Sequence, residues 1–502
     1  MADDLARDAG DEIDEFEREP VPEKALLGFK NFIGQYAGEH CAGTELMIGP
    51  MFVTRGVSAF DLIAGLLLGN LLAVLSWTFL TAPIATRARL TLYFQLEKIC
   101  GRSLVTLYNL ANGVMFCFLA GSMITVSTTA IGAMVQGTRL EFPMPRLDDV
   151  YPSGAGWVVA ALALGILVAI VAAYGYKFVA RFANIAAPWM VLVFLAFGVI
   201  ALREFIDVTG AEINSASDLW ALATTHIWKG GDPLPGQVKF TFWHVMFFAW
   251  FCNMAMHVGM SDLSVFRYAK KSWYGIATAS GMYVGHFMAW ISASLLYALQ
   301  IHRDPTNTDV LPGPLAASVC GFAGLLCVII AGWTTANPTI YRAGLAFQAI
   351  MPRASRFKVT LATGLIATVA GMFPAVAMKL LDFVAIYGML LMPMGAVIFV
   401  DYYLIRKFGL QSNYAEVSRK TFNWAAGLTW FITLGTCVFL VKYELIQTWL
   451  VEHGINVFPA DFKGVDLFFV SLPGWFVAAV LYIVLSKLYQ RKVHGAEARG
   501  NG

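Results

Sequence analysis

Long apolar runs alternate along the chain with short polar segments rich in Lys and Arg. A helix needs about 20 mostly apolar residues to cross the hydrocarbon layer of a bilayer. Twelve runs qualify on length, at roughly 31–53, 59–81, 103–135, 155–174, 180–202, 241–262, 272–299, 313–333, 358–378, 381–400, 422–441 and 467–487. The third and seventh are long enough to tilt or to extend past the membrane. The seams near Tyr174–Tyr176 and Ala377–Leu381 are the shortest in this division. The pattern predicts an all-α polytopic membrane protein with about 12 transmembrane helices.

Composition strengthens the assignment. Hydrophobic residues make up 58% of the 502 and charged residues 14%, against about 25% charged in a typical soluble protein. The formal net charge of +2 provides no global basic field for nucleic acid. The distribution of that charge orients the spans. With the N-terminus inside, the inner loops carry Arg87, Arg89, Lys98 and Arg102, then Lys177 and Arg181, then Arg267, Lys270 and Lys271. They continue with Arg342, Arg353, Arg356 and Lys358, and with Arg406, Lys407, Arg419 and Lys420. A missed span would invert the bias downstream of it, so an even count with both ends cytoplasmic fits best. The acidic segment 1–26 has no basic-then-apolar pattern and reads as a cytosolic tail, with a second tail at 488–502. Two long outer segments, 203–240 and 442–466, carry Trp220, Trp228 and Trp449, rings suited to the headgroup level, and the first has room for a short surface helix. Seven Cys without a CxxC motif or an outer-loop pair predict neither a disulfide framework nor a thiolate metal site.

Polar residues inside spans are costly, so they mark candidate function. The first span contains Gln35, Glu39, His40, Thr44 and Glu45 among Gly34, Gly38, Gly43 and Gly49. Its glycines allow the helix to open and free carbonyls for a cation or a substrate; the bland alternative is that its carboxylates only pair with other helices. Trp250, Asn253 and His257 follow helical spacing on the sixth span, where an aromatic and an amide can hold a planar ligand, or simply pack. Asp262 and Arg267 read as a clamp at the inner end. Asn112 and Phe116 on the third span suit a pocket wall, while its many Ser and Thr can satisfy helix carbonyls locally. On the eighth span Thr334 and Thr335 precede Asn337 and Pro338. Proline is expected to kink or stop the helix there, leaving two hard-oxygen donors beside a distorted turn.

No HExxH, GxSxG or P-loop motif points to an enzyme or an ATP-driven pump. Polar residues scattered over several helices suit a bounded midplane pocket better than a pore-lining stripe. No cofactor is expected. The expected partners are a small-molecule substrate and the lipid bilayer, with no nucleic acid and no obligate protein partner.

Several segments resemble the nucleobase:cation symporter family, group one, whose members carry cytosine, purines, uracil, allantoin, hydantoins and thiamine. Gly56-Val57-Ser58 followed by Gly69-Asn70 looks like that family's second span. Asp262–Lys271, Trp333–Tyr341, Pro393–Arg406 and Phe422-Asn423-Trp424 resemble its later motifs in the same order. There are departures: Glu97-Lys98-Ile99-Cys100-Gly101 replaces the usual segment after span two, a span-three tryptophan is absent, and Ala336 stands where an asparagine is usual. Glu39, His40 and Glu45 put ionisable groups where the family often has neutral ones.

The resemblance implies two inverted five-helix repeats, at 27–202 and 241–400, followed by two additional helices within 401–487. It implies broken first and sixth spans around a central site and cation-coupled symport by alternating access. It places a sodium site at the carbonyls near Gly38 and Cys41 and the hydroxyls of Thr334 and Thr335. The substrate-site candidates are Gln35, Glu39, Gly43, Glu45, Asn112, Phe116, Trp250, Asn253, His257 and Asn337. Na+ is the favoured coupling ion for a nucleobase-like heterocycle. H+ coupling and a positively charged metabolite such as a thiamine-like compound or an amine form the alternative, which the two carboxylates keep open.

Overall fold

The structure is a computed structural model that describes residue 16 and residues 18–146, 149–453 and 462–500, the last ten by backbone alone. Most of the acidic segment 1–26 and part of 442–466 therefore lie outside the described residues. Among the described residues all regular elements are helices, and extended pairing is confined to isolated bridges such as Leu27 with Ala269.

Among the described residues nine helices are long and apolar enough to cross a membrane unaided: Ala59–Ala88, Arg102–Val135, Ala155–Ala173, Tyr176–Thr209, Ser272–Arg303, Pro312–Ile350, Leu380–Phe408, Trp424–Val441 and Ser471–Gln490. The other three passes fall short for identifiable reasons. The first is split into Phe29–His40 and Glu45–Thr54. The sixth is split into Phe242–Phe251 and Met254–His257, with a further turn at Leu263–Phe266. The ninth, Arg356–Gly371, stops ahead of Pro374 and is followed by a single turn, Ala375–Met378. Interrupted helices at membrane depth survive only where protein or a cavity satisfies the released backbone groups, so spans one and six belong in the interior.

Local sequence sets the boundaries. Ser58 caps the second span by accepting from the Asp61 amide at 3.1 Å, and Asn423 caps the eleventh by accepting from the Ala425 amide at 3.1 Å. Gly175, at φ 98°, makes the seam between spans four and five, a conformation that only glycine adopts cheaply. In the outer segment 203–240, Ser215 caps a short helix, Ala216–Leu222. The Ser215 hydroxyl and the Asn214 amide hold Asp218 below the usual carboxylate range.

The packing has an internal symmetry. Span one packs on seven and six on two; three packs on eight and four on nine; three also packs on nine and eight on four. Adding five to each partner, cyclically, exchanges one–seven with six–two and three–nine with eight–four and returns three–eight and four–nine to themselves. That is the relation expected of two five-helix repeats, and five crossings per repeat give them opposite directions through the membrane. Spans eleven and twelve pack on ten from outside this core.

Three expectations need correction. Pro338 does not stop the eighth span, which runs through it to Ile350. The irregularity falls instead at Gly321, with φ 51° and ψ −132°. Arg342 is consequently not in a loop but buried on that helix, 1% exposed. Trp228 does not lie at an interface: its indole is buried and donates to the Ser294 hydroxyl at 2.5 Å.

Spans one and seven meet through small residues. A Cβ on Gly285 would lie 2.6 Å from both the Cβ and the carbonyl oxygen of His40. Gly285→Ala is therefore expected to destabilise the protein by about 1–3 kcal/mol, the usual range for overpacking. A clear fall in the melting temperature of the purified protein, against an unchanged one for the uncrowded Gly435→Ala, checks this.

Candidate functional site

Span one leaves the helix after His40, where Cys41 takes φ −93° and ψ 55° and donates back to the Ala37 carbonyl at 3.1 Å. The chain re-enters a helix only at Glu45. Among the described residues, the carbonyls of Gly38, His40 and Cys41 accept no backbone hydrogen bond. The Glu39 carbonyl accepts from the Thr335 hydroxyl at 3.1 Å. Thr334 and Thr335 each also donate to the Ala331 carbonyl at 3.0 Å. The opened turn of span one thus lies against a cluster of hard oxygen atoms on span eight.

Span six opens opposite, at Asn253, with φ −112° and ψ 20°. Farther along, the fully buried Met260 sits at φ 66°. A bulky side chain in the left-handed region is costly and persists only where its surroundings enforce it.

Below the break in span one, three spans are tied by charge. Arg342 Nη1 donates to Glu39 Oε1 at 2.7 Å, and Nη2 to Asp262 Oδ1 at 2.7 Å. The other Asp262 oxygen accepts from the Tyr36 hydroxyl at 2.6 Å and the Trp77 indole at 2.8 Å, and Gln35 donates to Glu39 Oε2 at 3.3 Å. All three charged groups are buried. Asp262 and Arg267 therefore do not form the expected clamp. The Arg267 guanidinium donates to the Phe16 and Ser264 carbonyls and to the Tyr268 and Tyr341 hydroxyls, while Asp262 is the carboxylate of Arg342.

Above this network lies a cavity of about 80 Å³. Glu39, His40, Thr44 and Glu45 of span one line it, with Asn253 of span six, His286 of span seven, Thr335 and Thr339 of span eight and Tyr387 of span ten; Met123 of span three adds an apolar wall. Glu45 Oε2 accepts from the Trp290 indole, and Oε1 lies 3.7 Å from His286 Nε2.

The sequence-selected residues divide accordingly. Glu39, Glu45, Asn253 and Thr335 come together on the cavity wall. Gln35 stands one turn below, on Glu39. Gly43 serves close packing, since a Cβ there would lie 2.8 Å from Val126. Asn112 donates to the Tyr93 hydroxyl at 3.0 Å, and Phe116 packs on Tyr387 at 4.7 Å, so both stand behind the lining. Trp250 turns away to donate to Ser76 at 3.0 Å, and His257 bonds the Trp250 carbonyl at 3.1 Å while packing on Trp77. Asn337, with its amide oriented to donate to the Val168 carbonyl at 3.0 Å and accept from the Trp333 indole at 3.3 Å, braces span eight.

Sequence reasoning missed Arg342, His286 and Trp290 as site residues. Arg342 was recoverable: it lies seven residues after Thr335, two turns along the same helix face. His286 is a lone imidazole in an apolar span, flanked by Gly281 and Gly285.

Removing one member of a buried ion network leaves uncompensated charge and typically costs about 3–5 kcal/mol. Arg342→Met is expected to cost at least that much, because Glu39 and Asp262 then face each other unpaired. The triple variant E39Q/D262N/R342M is expected to recover much of the loss. Melting of the purified variants checks this, and an R342M protein as stable as the parent would remove the network from the stability account.

No family model and no curated protein matches the chain. Solved structures do. The chain is similar to Mhp1, a nucleobase-cation-symport-1 family transporter, in a closed conformation with bromovinylhydantoin bound: 15% identity over 96% of each chain, TM-score 0.66. The inward-facing conformation of Mhp1 matches at 14% identity over 95% of each chain, TM-score 0.65. A Na+-coupled sialic acid symporter in a substrate-bound outward-open state matches at 14% identity over 96% of this chain and 93% of that one, TM-score 0.58. With the helical architecture above, these likenesses place the chain in an all-α polytopic transporter fold.

Proposed function

We propose that the chain is a secondary active transporter that carries a small nitrogen heterocycle together with a cation, Na+ being favoured, by alternating access. The observation that carries this reading is that two interrupted spans face each other across a cavity, with two carboxylates, imidazoles and an amide on its wall. Broken helices around a midplane site are the usual construction of carriers of this kind. A nucleobase-like ring suits the amide of Asn253 and the imidazoles, which supply donors and acceptors in a narrow space. Further support comes from the structural neighbours, one solved with bromovinylhydantoin and another described as Na+-coupled.

The coupling ion would bind where the opened turn meets span eight, held by the carbonyls of Gly38 and Cys41 and the hydroxyls of Thr334 and Thr335. The donor set fits Na+, because all are uncharged hard oxygens and the two carbonyls are free of backbone partners among the described residues. Ion and substrate would stabilise the same closed arrangement of span one, which makes their coupling reciprocal. We place both chain ends on the cytoplasmic side, from the distribution of Lys and Arg. H+ coupling is the second reading. It is favoured by the presence of two carboxylates on the cavity wall, Glu39 and Glu45.

Uptake into vesicles reconstituted with the purified protein, under separately imposed Na+ and proton gradients, tests both. Na+-driven accumulation of a heterocycle is expected, and Thr335→Ala should raise the Na+ concentration needed for half-maximal uptake by about tenfold, equivalent to about 1.4 kcal/mol. Unchanged Na+ dependence in T335A would discard the ion site, and uptake driven by the proton gradient alone would favour the second reading.

A further inference from the structure

The buried charges around the cavity do not balance. Arg342 is shared by Glu39 and Asp262, so two carboxylates face one guanidinium. Glu45 is a third buried carboxylate, 3% exposed, and neither a lysine nor an arginine lines its cavity. An isolated buried carboxylate is expensive unless it takes up a proton or a cation accompanies it.

The surroundings of Glu45 define what that cation can be. Oε2 accepts from the Trp290 indole, whereas Oε1 makes no hydrogen bond among the described residues. Its nearest nitrogen, His286 Nε2, is 3.4 Å from the Asn253 amide nitrogen. If that amide donates, the imidazole proton resides on Nδ1, which has no partner, and the nitrogen facing Glu45 has no proton to offer. The adjoining surface is aromatic: His286 stacks on Trp290 at 4.2 Å, and His40 stands edge-on to His286 at 4.7 Å. A carboxylate oxygen without a donor, in a narrow space among aromatic rings, is suited to a flat organic cation.

Building on the transport reading above, we propose that the substrate is a planar nitrogen cation of the amidinium or guanidinium class, whose N–H donates to Glu45 Oε1 within the cavity that His286 and His40 help to line. This departs from a neutral nucleobase. It also gives separate places to the two positive charges: the coupling ion at the span-eight hydroxyls and the substrate at Glu45.

A matched pair of rings tests it: 2-aminoimidazoline, a cyclic guanidinium, and 2-imidazolidinone, the neutral cyclic urea of the same outline. Calorimetry would use the full-length protein in lipid nanodiscs at saturating Na+. The cationic ring is expected to bind at least about tenfold more tightly, a difference of about 1.4 kcal/mol. Glu45→Gln is expected to abolish that preference. Glu45→Asp keeps a carboxylate at the same position and should retain the preference, which separates loss of charge from loss of fold. Equal or tighter binding of the neutral ring, no binding of the cationic ring at millimolar concentration, or a preference that survives in E45Q would each overturn the proposal. Selective binding of the cationic ring without uptake into vesicles would sink the transport reading and leave the site standing. Uptake of rings without charge preference would do the reverse.

Discussion

The protein is organised around one guanidinium that has no access to water. Arg342 joins spans one, six and eight through Glu39 and Asp262, and each carboxylate is held by further donors from Gln35, Tyr36 and Trp77. At this depth a charge is tolerable only when its partners are fixed. The interrupted spans supply that fixity. Glu39 sits in the last turn before span one opens, and Asp262 follows the strained turn at Met260. Breaks that would be a liability in lipid bring acidic side chains to a common point, and the ion network holds the breaks in place.

The cavity follows from the same arrangement. The opened turn of span one turns its carbonyls toward span eight, and the side chains beyond the break line the space between spans one, six, seven and ten. Close packing at Gly285 brings span seven against His40, which sets His286 and Trp290 beside Glu45. At about 80 Å³ the space is well below the roughly 300–1,000 Å³ of ordinary ligand pockets. Shape alone admits only small molecules in this conformation, and chemistry selects among them.

Much of the architecture was legible in the sequence because a bilayer imposes length. Nine of the apolar runs appear, among the described residues, as helices long enough to cross a bilayer, and the seam at Gly175 falls where the residues between spans four and five ran short. The glycines of span one announced an opening near Glu39. Side-chain direction was harder to read. Trp250 and Asn253 share helical spacing, yet the chain leaves the helix between them, so one faces Ser76 and the other the cavity. Arg342 was counted among loop charges because Pro338 suggested an end to the helix. Proline removes one hydrogen bond, but neighbouring hydroxyls in a packed membrane helix can compensate, and position then overrides propensity. Asn112 and Asn337 were sensible pocket candidates by type; their partners are the Tyr93 hydroxyl, on the short helix Leu92–Cys100 between spans two and three, and the Val168 carbonyl on span four.

The position of the Arg342 network along the spans carries one more consequence. Its members lie between the cavity and the end of the bundle at which span one begins: Tyr36 precedes Glu39 on span one, while Asp262 and Arg342 lie late on spans that run the other way. On the proposed reading, a path from the cavity to that side must separate an ion pair in a dry interior. Dry separation is prohibitive, whereas separation with water following costs far less, because water takes over the solvation that each partner loses. Opening and wetting would therefore be a single event. The barrier to leakage would then be the cohesion of a water-free layer, governed by how readily the first water molecules enter and not by the size of any moving side chain.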